Sequence, residues 1–561
     1  MSDKLWNVLP ACPNNILHKA QIPPVIVQIL YNRGMTDPDH FHSFLNCELT
    51  TSCDPFALPD MHQAVSRIYR ALLGGEKMVV FGDFDADGIT AAALLVEGLE
   101  SLGAQVYSYL PHRVFEGHGL NITALEEFQQ DGVSLVITAD CGIASVAEAV
   151  RAKELGIDVL ITDHHTIQSE IPYAVAIVNP KRPGSTYPFR DLAGVGVAYK
   201  ILEALTSGAG RDNILEGGLE LVALGTIADM SPLIGENRYL VRRGLESLNT
   251  TKRLGLIEML RECRLEMGHI SAESVAWVLA PRLNAAGRLE HARIGYNMLR
   301  TSSQTEAGKL AKRLDEINRE RQRLVDVYWK RAREEVATQW VSSPVVLIES
   351  DPEQPLGISG LVAGRLMEEF NRPTVVMQVG EDSVRGSCRS IPEFDIVSAL
   401  SSCSDLLIQF GGHPSAAGFT LNTASLKRFK ERLHEIAESE LAVPKLRSEI
   451  TIDAEIDPLH LLGEPMGFMK LLEPFGKGNP PPKFLSRNLK VLEARLVGNG
   501  GQHLKLKLRG NRVSWPAIGF GLGSRAREVS TLVDIVYIIK TDGRNPDETV
   551  ELEILDFQPS S

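Results

Sequence analysis

No C-x-x-C pair occurs anywhere in this chain of 561 residues, and its seven cysteines lie far apart. An odd, scattered set of thiols excludes a disulfide framework and a structural zinc site, and fits reduced thiols in a cytoplasm. No run approaches the roughly 18 apolar residues of a membrane span. The first residues, MSDKLWNVLP, lack the basic start and apolar centre of a signal peptide. The expectation is a cytoplasmic protein without membrane contact. Positive charge is scarce: 58 Lys and Arg face 71 Asp and Glu, a net charge of −13. That balance excludes a generally adhesive nucleic-acid coat, so a polyanion would have to be met by local patches or metal ions. The G-x-x-x-x-G-K-[ST] phosphate loop is also missing, and the first strand-to-helix turn is acidic where a dinucleotide fingerprint is glycine-rich.

What is present begins with length, which predicts two to four domains. From about Leu72 to Met230, short apolar runs (78–81, 105–110, 134–140, 158–163) alternate with helical segments (89–103, 145–156). Alternation of this kind predicts βαβ units and a mostly parallel sheet covered on both faces. Segment 219–230 reads as a further buried helix ending in an acidic turn. Residues 302–340 carry no proline, many charges, and Leu310, Leu314, Ile317, Leu324 and Val327 on one narrow stripe. The pattern predicts a long helix that either bridges two domains or lies flat on one. A second α/β pattern follows, with strands at 345–350, 374–379 and 384–390. From about Ser448 the signals turn to β, at 448–456, 488–497, 503–510 and 532–540, as in a small sandwich or barrel. The expected divisions are 1–50 (helical), 51–300, 301–342 (connecting helix), 343–445 and 446–561.

The chemistry gathers at strand ends. Asp83, Asp85 and Asp87 follow the first strand, Asp140 the third, and Asp163, His164 and His165 the fourth. In open parallel sheets ligands bind beyond the carboxyl ends of the strands, so three strand ends aim carboxylates and imidazoles at one crevice. Asp229, in 225-GTIADMSP-232, is the fourth contributor. Mixed Asp and His ligands without Cys suit Mn²⁺ or a comparable ion, whereas an all-oxygen set suits Mg²⁺ or Ca²⁺. Two such ions about 3.5–4 Å apart support phosphodiester or pyrophosphate hydrolysis. An Asp before a helix also serves as an N-cap, and Asp83 is the expected cap.

The set GDFDADG, TADCG, TDHHT and IADMSP resembles, in order and spacing, the four motifs of the DHH phosphoesterases. Together with 281-PRLNAAGR-288, 411-GGHPSAAG-418 and a terminal OB-like module, it is most similar to the RecJ-type single-strand exonucleases. The resemblance implies an α/β fold: a parallel-sheet DHH domain, a long helix, a smaller α/β DHHA1 domain and an all-β OB-like domain. It implies metal ligation by Asp85, Asp87, Asp140, His164 and Asp229, with Asp140 as bridge and Mn²⁺ or Mg²⁺, two ions, as cofactor. His165 then faces the scissile phosphate or completes the metal shell, Asp163 orients a histidine, and His413 closes over the site. One departure from the wider superfamily is Phe81, where many DHH enzymes carry a metal-binding His. RecJ relatives also lack that His.

Period two places Arg385, Ser387 and Arg389 on one face of a strand, an arrangement suited to phosphate. The resemblance assigns Ser387 and Arg389, with Arg113, to a 5′-terminal phosphate. It places Arg282, Asn284 and Arg288 along the strand's path, although Arg282 and Arg288 serve equally well as interdomain ion pairs. In 503–510, Lys505, Lys507 and Arg509 alternate with leucines, and Phe484 and Trp515 are candidate base-stackers; an exposed sheet face is the alternative, and the better reading of this patch taken alone. The implied function is a metal-dependent 5′→3′ exonuclease that releases 5′-mononucleotides from single-stranded DNA in recombination and repair. A monomer is expected, with a single strand bearing a free 5′ end as partner; a single-strand-binding protein or helicase follows from the family alone. The alternatives are an oligonucleotide or cyclic-dinucleotide phosphodiesterase of the same superfamily, and a non-catalytic DNA-binding scaffold.

Overall fold

Five parallel strands form the first sheet, in the order Gln105–Tyr109, Lys77–Gly82, Val133–Ala139, Asp158–Thr162, Ala176–Val178. The computed structural model describes residues 4–49, 53–167, 170–207, 212–339, 345–350, 353–441, 449–511, 513–541 and 550–560. Strand Lys77–Gly82 is buried on both faces, Met78 and Val80 in one core and Val79 and Phe81 in the other. That is why its sequence is a continuous apolar run without alternation. The chain leaves this strand first toward Gln105–Tyr109 on one side and later toward Val133–Ala139 on the other, so the topology switches direction there. A ligand crevice forms at such a point, beyond the carboxyl ends of the strands.

The expected strands of this sheet appear within a residue or two of their positions, and the short Ala176–Val178 is an addition. The expected helices appear as Ala86–Ser101, Val146–Glu154 and Asp212–Ala228, the last with Asp229 just beyond its end. The long helix, Gln304–Gln339, has 36 residues, about 54 Å at 1.5 Å per residue. It bridges. Its Ala311 and Leu314 join the first domain's core, while Val325, Ala332 and Val336 pack on Ile358 and Val362 of the next domain. Val325, not Val327, continues the buried stripe, because the apolar face rotates as the helix changes domains.

The second domain is a mixed sheet ordered Leu407–His413, Ala416–Asn422, Ser383–Arg389, Thr374–Val379, Val346–Ser350. Its helix Leu356–Phe370 lies beside the long helix. The 411–418 signature is the tip of a hairpin, His413 pairing with Ala416. The third domain closes into a barrel, because Phe484–Val497 pairs with both His503–Gly510 and Leu532–Thr541. Strands Val513–Gly519 and Val550–Pro559 complete it. Phe484 and Trp515 are 1% and 4% exposed and lie in the barrel core, so neither is a base-stacker.

The N-terminal segment is not wholly helical. Leu5–Val8 pairs in parallel with Glu449–Ile452, and Ile26, Leu30 and Phe41 share a core with the barrel's Leu472 and Phe484. A strand whose partner lies more than 400 residues away carries no local signal. The expected divisions near residues 342 and 445, and Arg512 of the 510–512 turn, lie outside the described residues.

Candidate active site

The first motif turns directly from strand into helix. Asp85, not Asp83, is the N-cap of Ala86–Ser101: its Oδ1 accepts from the Asp87 and Gly88 amides, both at 3.0 Å. Asp87 then enters the first helical turn and points across the crevice. There the Gly194 and Val195 amides, opening helix Gly194–Thr206, donate to its two oxygens at 2.7 and 2.9 Å. A helix N-terminus favours an anion at that point. Gly194 is required sterically as well, since a Cβ there would stand 2.4 Å from Asp140 Oδ1. Asp140 itself sits at φ +64°, a left-handed turn that swings its carboxylate off the end of the third strand.

These side chains converge. Ligand atoms of Asp87, His164 and Asp229 lie within 4.8 Å of one another, as do those of Asp140, His164 and His165, and those of Asp83, Asp85 and Asp140. Asp140 and His164 each belong to two of the three groups. Asp140 Oδ1 and His164 Nε2 face each other at 3.1 Å, both buried and neither in a hydrogen bond. Burial, then Asp229 and Asp85, push Asp87 well above the usual carboxylate range; burial, then Asp87 and Asp85, do the same to Asp140. Burial lowers His164 to about 4, leaving the neutral imidazole that ligates metal. Crowded acids, a neutral imidazole and two orphaned buried ligand atoms fit a divalent cation, because such polar atoms are costly to bury unpartnered.

The fourth strand end is organised differently. Asp163 accepts from the Ile143, His164 and His165 amides and, at 2.7 Å, from His165 Nδ1. Burial would raise Asp163, but His165 holds it below the ordinary range; burial would likewise lower His165, and Asp163 keeps it raised. His165 is thereby fixed, with its other nitrogen free to face the crevice. His413 of the second domain stacks over it at 6.1 Å and 15°. Phe81 is fully buried against Tyr109, with ring centroids 5.2 Å apart, and offers no ligand.

A second feature lies beside the carboxylates. Ser387 and Arg389 lie against Gly360 of helix Leu356–Phe370, and Arg113 lies 4.6 Å over the Phe84 ring. Burial, then Arg113 and Arg389, lowers Arg288 to about 9, and burial lowers Arg389 too. No carboxylate is ion-paired with Arg113, Arg288 or Arg389 among the described residues. Three converging guanidiniums without a counter-ion form an anion pocket.

Two residues expected along the strand's path are engaged elsewhere. Arg282 is ion-paired to Asp315 of the long helix at 2.8 Å and donates to the Val278 carbonyl. Asn284 Oδ1 accepts from the Ala86 amide at 2.8 Å, supporting the turn that carries Asp85 and Asp87. Arg288 alone of the three stands at the crevice, and it also donates to the Gly357 carbonyl. Arg385 is exposed. Sequence reasoning missed His118, which reaches Asp83 at 3.0 Å and meets the His165 ring edge-on at 5.6 Å. Its one local signal was 116-EGHGLN-121, a histidine between two glycines.

Three families match successive parts of the chain: the DHH family N-terminal domain (residues 77–226), the DHHA1 domain (343–439) and the RecJ OB domain (452–556). The single-stranded-DNA-specific exonuclease RecJ of Salmonella typhimurium is 33% identical over 508 residues, 87% of either chain. The chain belongs to the RecJ family. The RecJ of Bacillus subtilis is 38% identical over 511 residues, 91% of this chain, and this chain spans 64% of that protein's length. The crystal structure of RecJ from Thermus thermophilus in complex with Mn²⁺ matches with a TM-score of 0.86 at 29% identity. That match covers all of this chain and 80% of the other. The three-domain order is therefore the RecJ order.

Proposed function

We propose that this protein is a 5′→3′ exonuclease that removes 5′-mononucleotides from single-stranded DNA with Mn²⁺ or Mg²⁺ bound. One juxtaposition carries the reading: an orphaned Asp/His cluster fit for divalent ions stands beside a pocket of three unpaired arginines. Asp85, Asp87, Asp140, His164 and Asp229 would hold the ions, with Asp140 shared. Bound there, divalent ions supply an activated water and neutralise charge on the phosphoryl oxygens. The chain's own residues do the remainder. Arg113, Ser387, Arg389 and Arg288 grip the terminal phosphate, fixing which internucleotide bond meets the carboxylates and hence one nucleotide per cut. His165, oriented by Asp163, presents its free nitrogen to the scissile phosphate. His413 stands over it from the second domain.

The barrel supports a single-stranded substrate. Arg495 pairs across the strands with Lys505, and Lys490 with Arg509. Directly opposed like charges are unfavourable unless a polyanion lies over them. Two facing carboxylates moderate the patch, Glu551 3.6 Å from Lys505 and Glu493 3.9 Å from Lys507. A role in recombination and repair, and association with single-strand-binding protein or a helicase, follow from the family reading. No helix among the described residues is long and apolar enough to cross a membrane.

The test uses single strands labelled at either end, incubated with Mn²⁺ or Mg²⁺ and the wild type or Asp140→Ala. Mononucleotide release from the 5′ end by the wild type alone is expected. Activity on cyclic dinucleotides or short oligonucleotides but not long strands would replace this reading with the phosphodiesterase one. Binding without release under any divalent ion would replace it with the scaffold.

A further inference from the structure

The segment between helix Glu464–Leu471 and strand Phe484–Val497 leaves the barrel and docks on the catalytic motif. The Leu233 amide donates to the Lys477 carbonyl at 2.7 Å, four residues beyond Asp229. Gly476 lies against Leu233, and Gly478 against Pro232 and Ile234. The segment is braced from within. Gly476 and Asn479 exchange backbone hydrogen bonds, and the buried Asn479 side chain donates to the Leu472 and Pro474 carbonyls at 2.9 and 2.8 Å. Lys477 is thus presented by a fixed turn, with its side chain exposed.

A second lysine approaches the same place from the catalytic domain. The Lys181 amide donates to Asn179 Oδ1 at 2.8 Å, and Asn179 donates onward to the His165 carbonyl at 3.0 Å. Both lysines are among the charges that lower His413, after burial and His165. Neither is ion-paired among the described residues. Arg113, by contrast, is among the charges felt by Asp83 and Asp85. The lysines are therefore carried on backbone bonded beside Asp229 and His165, whereas Arg113 lies over Phe84, between Asp83 and Asp85.

We infer that Lys477 and Lys181, from two different domains, grip the backbone phosphates of the strand on the 3′ side of the scissile bond. The inference rests on the nuclease reading for its ligand and deepens it. With the arginines holding the 5′ terminus and the lysines the next phosphates, the strand is fixed on both sides of the reacting bond. The barrel segment then contributes directly to the active site as well as to distant strand binding.

The experiment compares wild type, Lys477→Ala, Lys477→Arg and Lys477→Ala/Lys181→Ala on 5′-phosphorylated oligothymidylate across a salt series. Binding is read by fluorescence anisotropy in chelator, and turnover separately with Mn²⁺. Lys477→Ala should lower the magnitude of the log K against log salt slope by about 0.7, one phosphate contact on a single strand. It should raise KM about fivefold with kcat little changed, as for loss of one exposed charge contact. Lys477→Arg should restore both. A 5′-phosphorylated dinucleotide, which has no phosphate beyond the scissile one, should not distinguish the variants. An unchanged salt slope, or a dinucleotide defect equal to that on long strands, overturns the inference. If wild type binds but never cleaves, the nuclease reading fails while the salt slope still decides the lysine.

Discussion

The Asp83 carboxylate and the His118 imidazole stand 3.0 Å apart, and each maintains the other's charge. Asp83, acting against burial, raises His118 to about 9; burial would raise Asp83, but His118 holds it down. The raised histidine contributes stability that is complete below its unfolded value of about 6.5 and is lost as pH climbs through about 9. The depressed carboxylate contributes above its unfolded value of about 4 and loses that as pH falls. In metal-free protein, the melting-temperature advantage of wild type over His118→Gln should be largest near pH 5–6.5 and shrink toward pH 9. A difference independent of pH would show that the pair is not charged.

Metal affinity has the opposite pH dependence. Asp87 and Asp140 are raised by burial and by their neighbours' charges, so the metal-free fold favours them protonated. Their contribution is present below the unfolded carboxylate value of about 4 and is lost as pH rises through their folded values. Mn²⁺ must displace those protons, so its affinity should tighten with pH, by up to about tenfold per unit for each proton released. Calorimetric titration from pH 5 to 8 measures this directly, and the Mn²⁺-induced rise in melting temperature should grow over the same range. Asp140→Ala should abolish most of that rise and lower turnover by at least about a hundredfold.

Arg389 makes no ion pair among the described residues and donates only to the Cys388 carbonyl, at 2.7 Å. Removing it should cost about 1.5–3 kcal/mol of terminal-phosphate binding, the range for a charged hydrogen bond. Arg389→Ala should therefore raise KM on 5′-phosphorylated strands about 10- to 150-fold, with a small change in kcat. On 5′-hydroxyl strands the variant and wild type should be nearly equal. A defect in kcat alone would remove Arg389 from the phosphate pocket.

The strands of the first sheet were legible because a doubly buried parallel strand is written as an uninterrupted apolar run, and the acids at its end cannot join that run. Motif order then singled out Asp85, Asp87, Asp140, His164 and Asp229, which the fold gathers into overlapping clusters. What stayed hidden depended on partners distant in sequence. Leu5–Val8 needs Glu449–Ile452 beside it, and His118 acquires meaning only opposite Asp83. Asp83 and Asp85 have equal capping chemistry, and only the turn's geometry decides between them. Trp515 looked like a stacking platform because an aromatic residue in a strand reads alike whether it faces the barrel core or its surface.

Helix Ala280–Leu289 offers a test of that lesson, since two of its residues looked alike as strand contacts and differ in the fold. Asn284 supports the Ala86 amide at the first turn of the helix that carries Asp87, and Arg282 binds Asp315 on the long helix. Asn284→Ala should lower stability by about 1 kcal/mol, as for loss of a capping acceptor. Because Asp85 and Asp87 flank the supported amide, Mn²⁺ affinity should fall on the order of tenfold, as when a ligand's supporting partner is lost. Arg282→Ala should lower stability by a similar or greater amount, since Asp315 is 2% exposed and keeps, among the described residues, only Arg319 as an ion-pair partner. Its Mn²⁺ affinity and its salt-dependent DNA binding should match wild type. Weakened DNA binding in folded Arg282→Ala would return that arginine to the strand's path, and unchanged Mn²⁺ affinity in Asn284→Ala would reduce the asparagine to a cap alone.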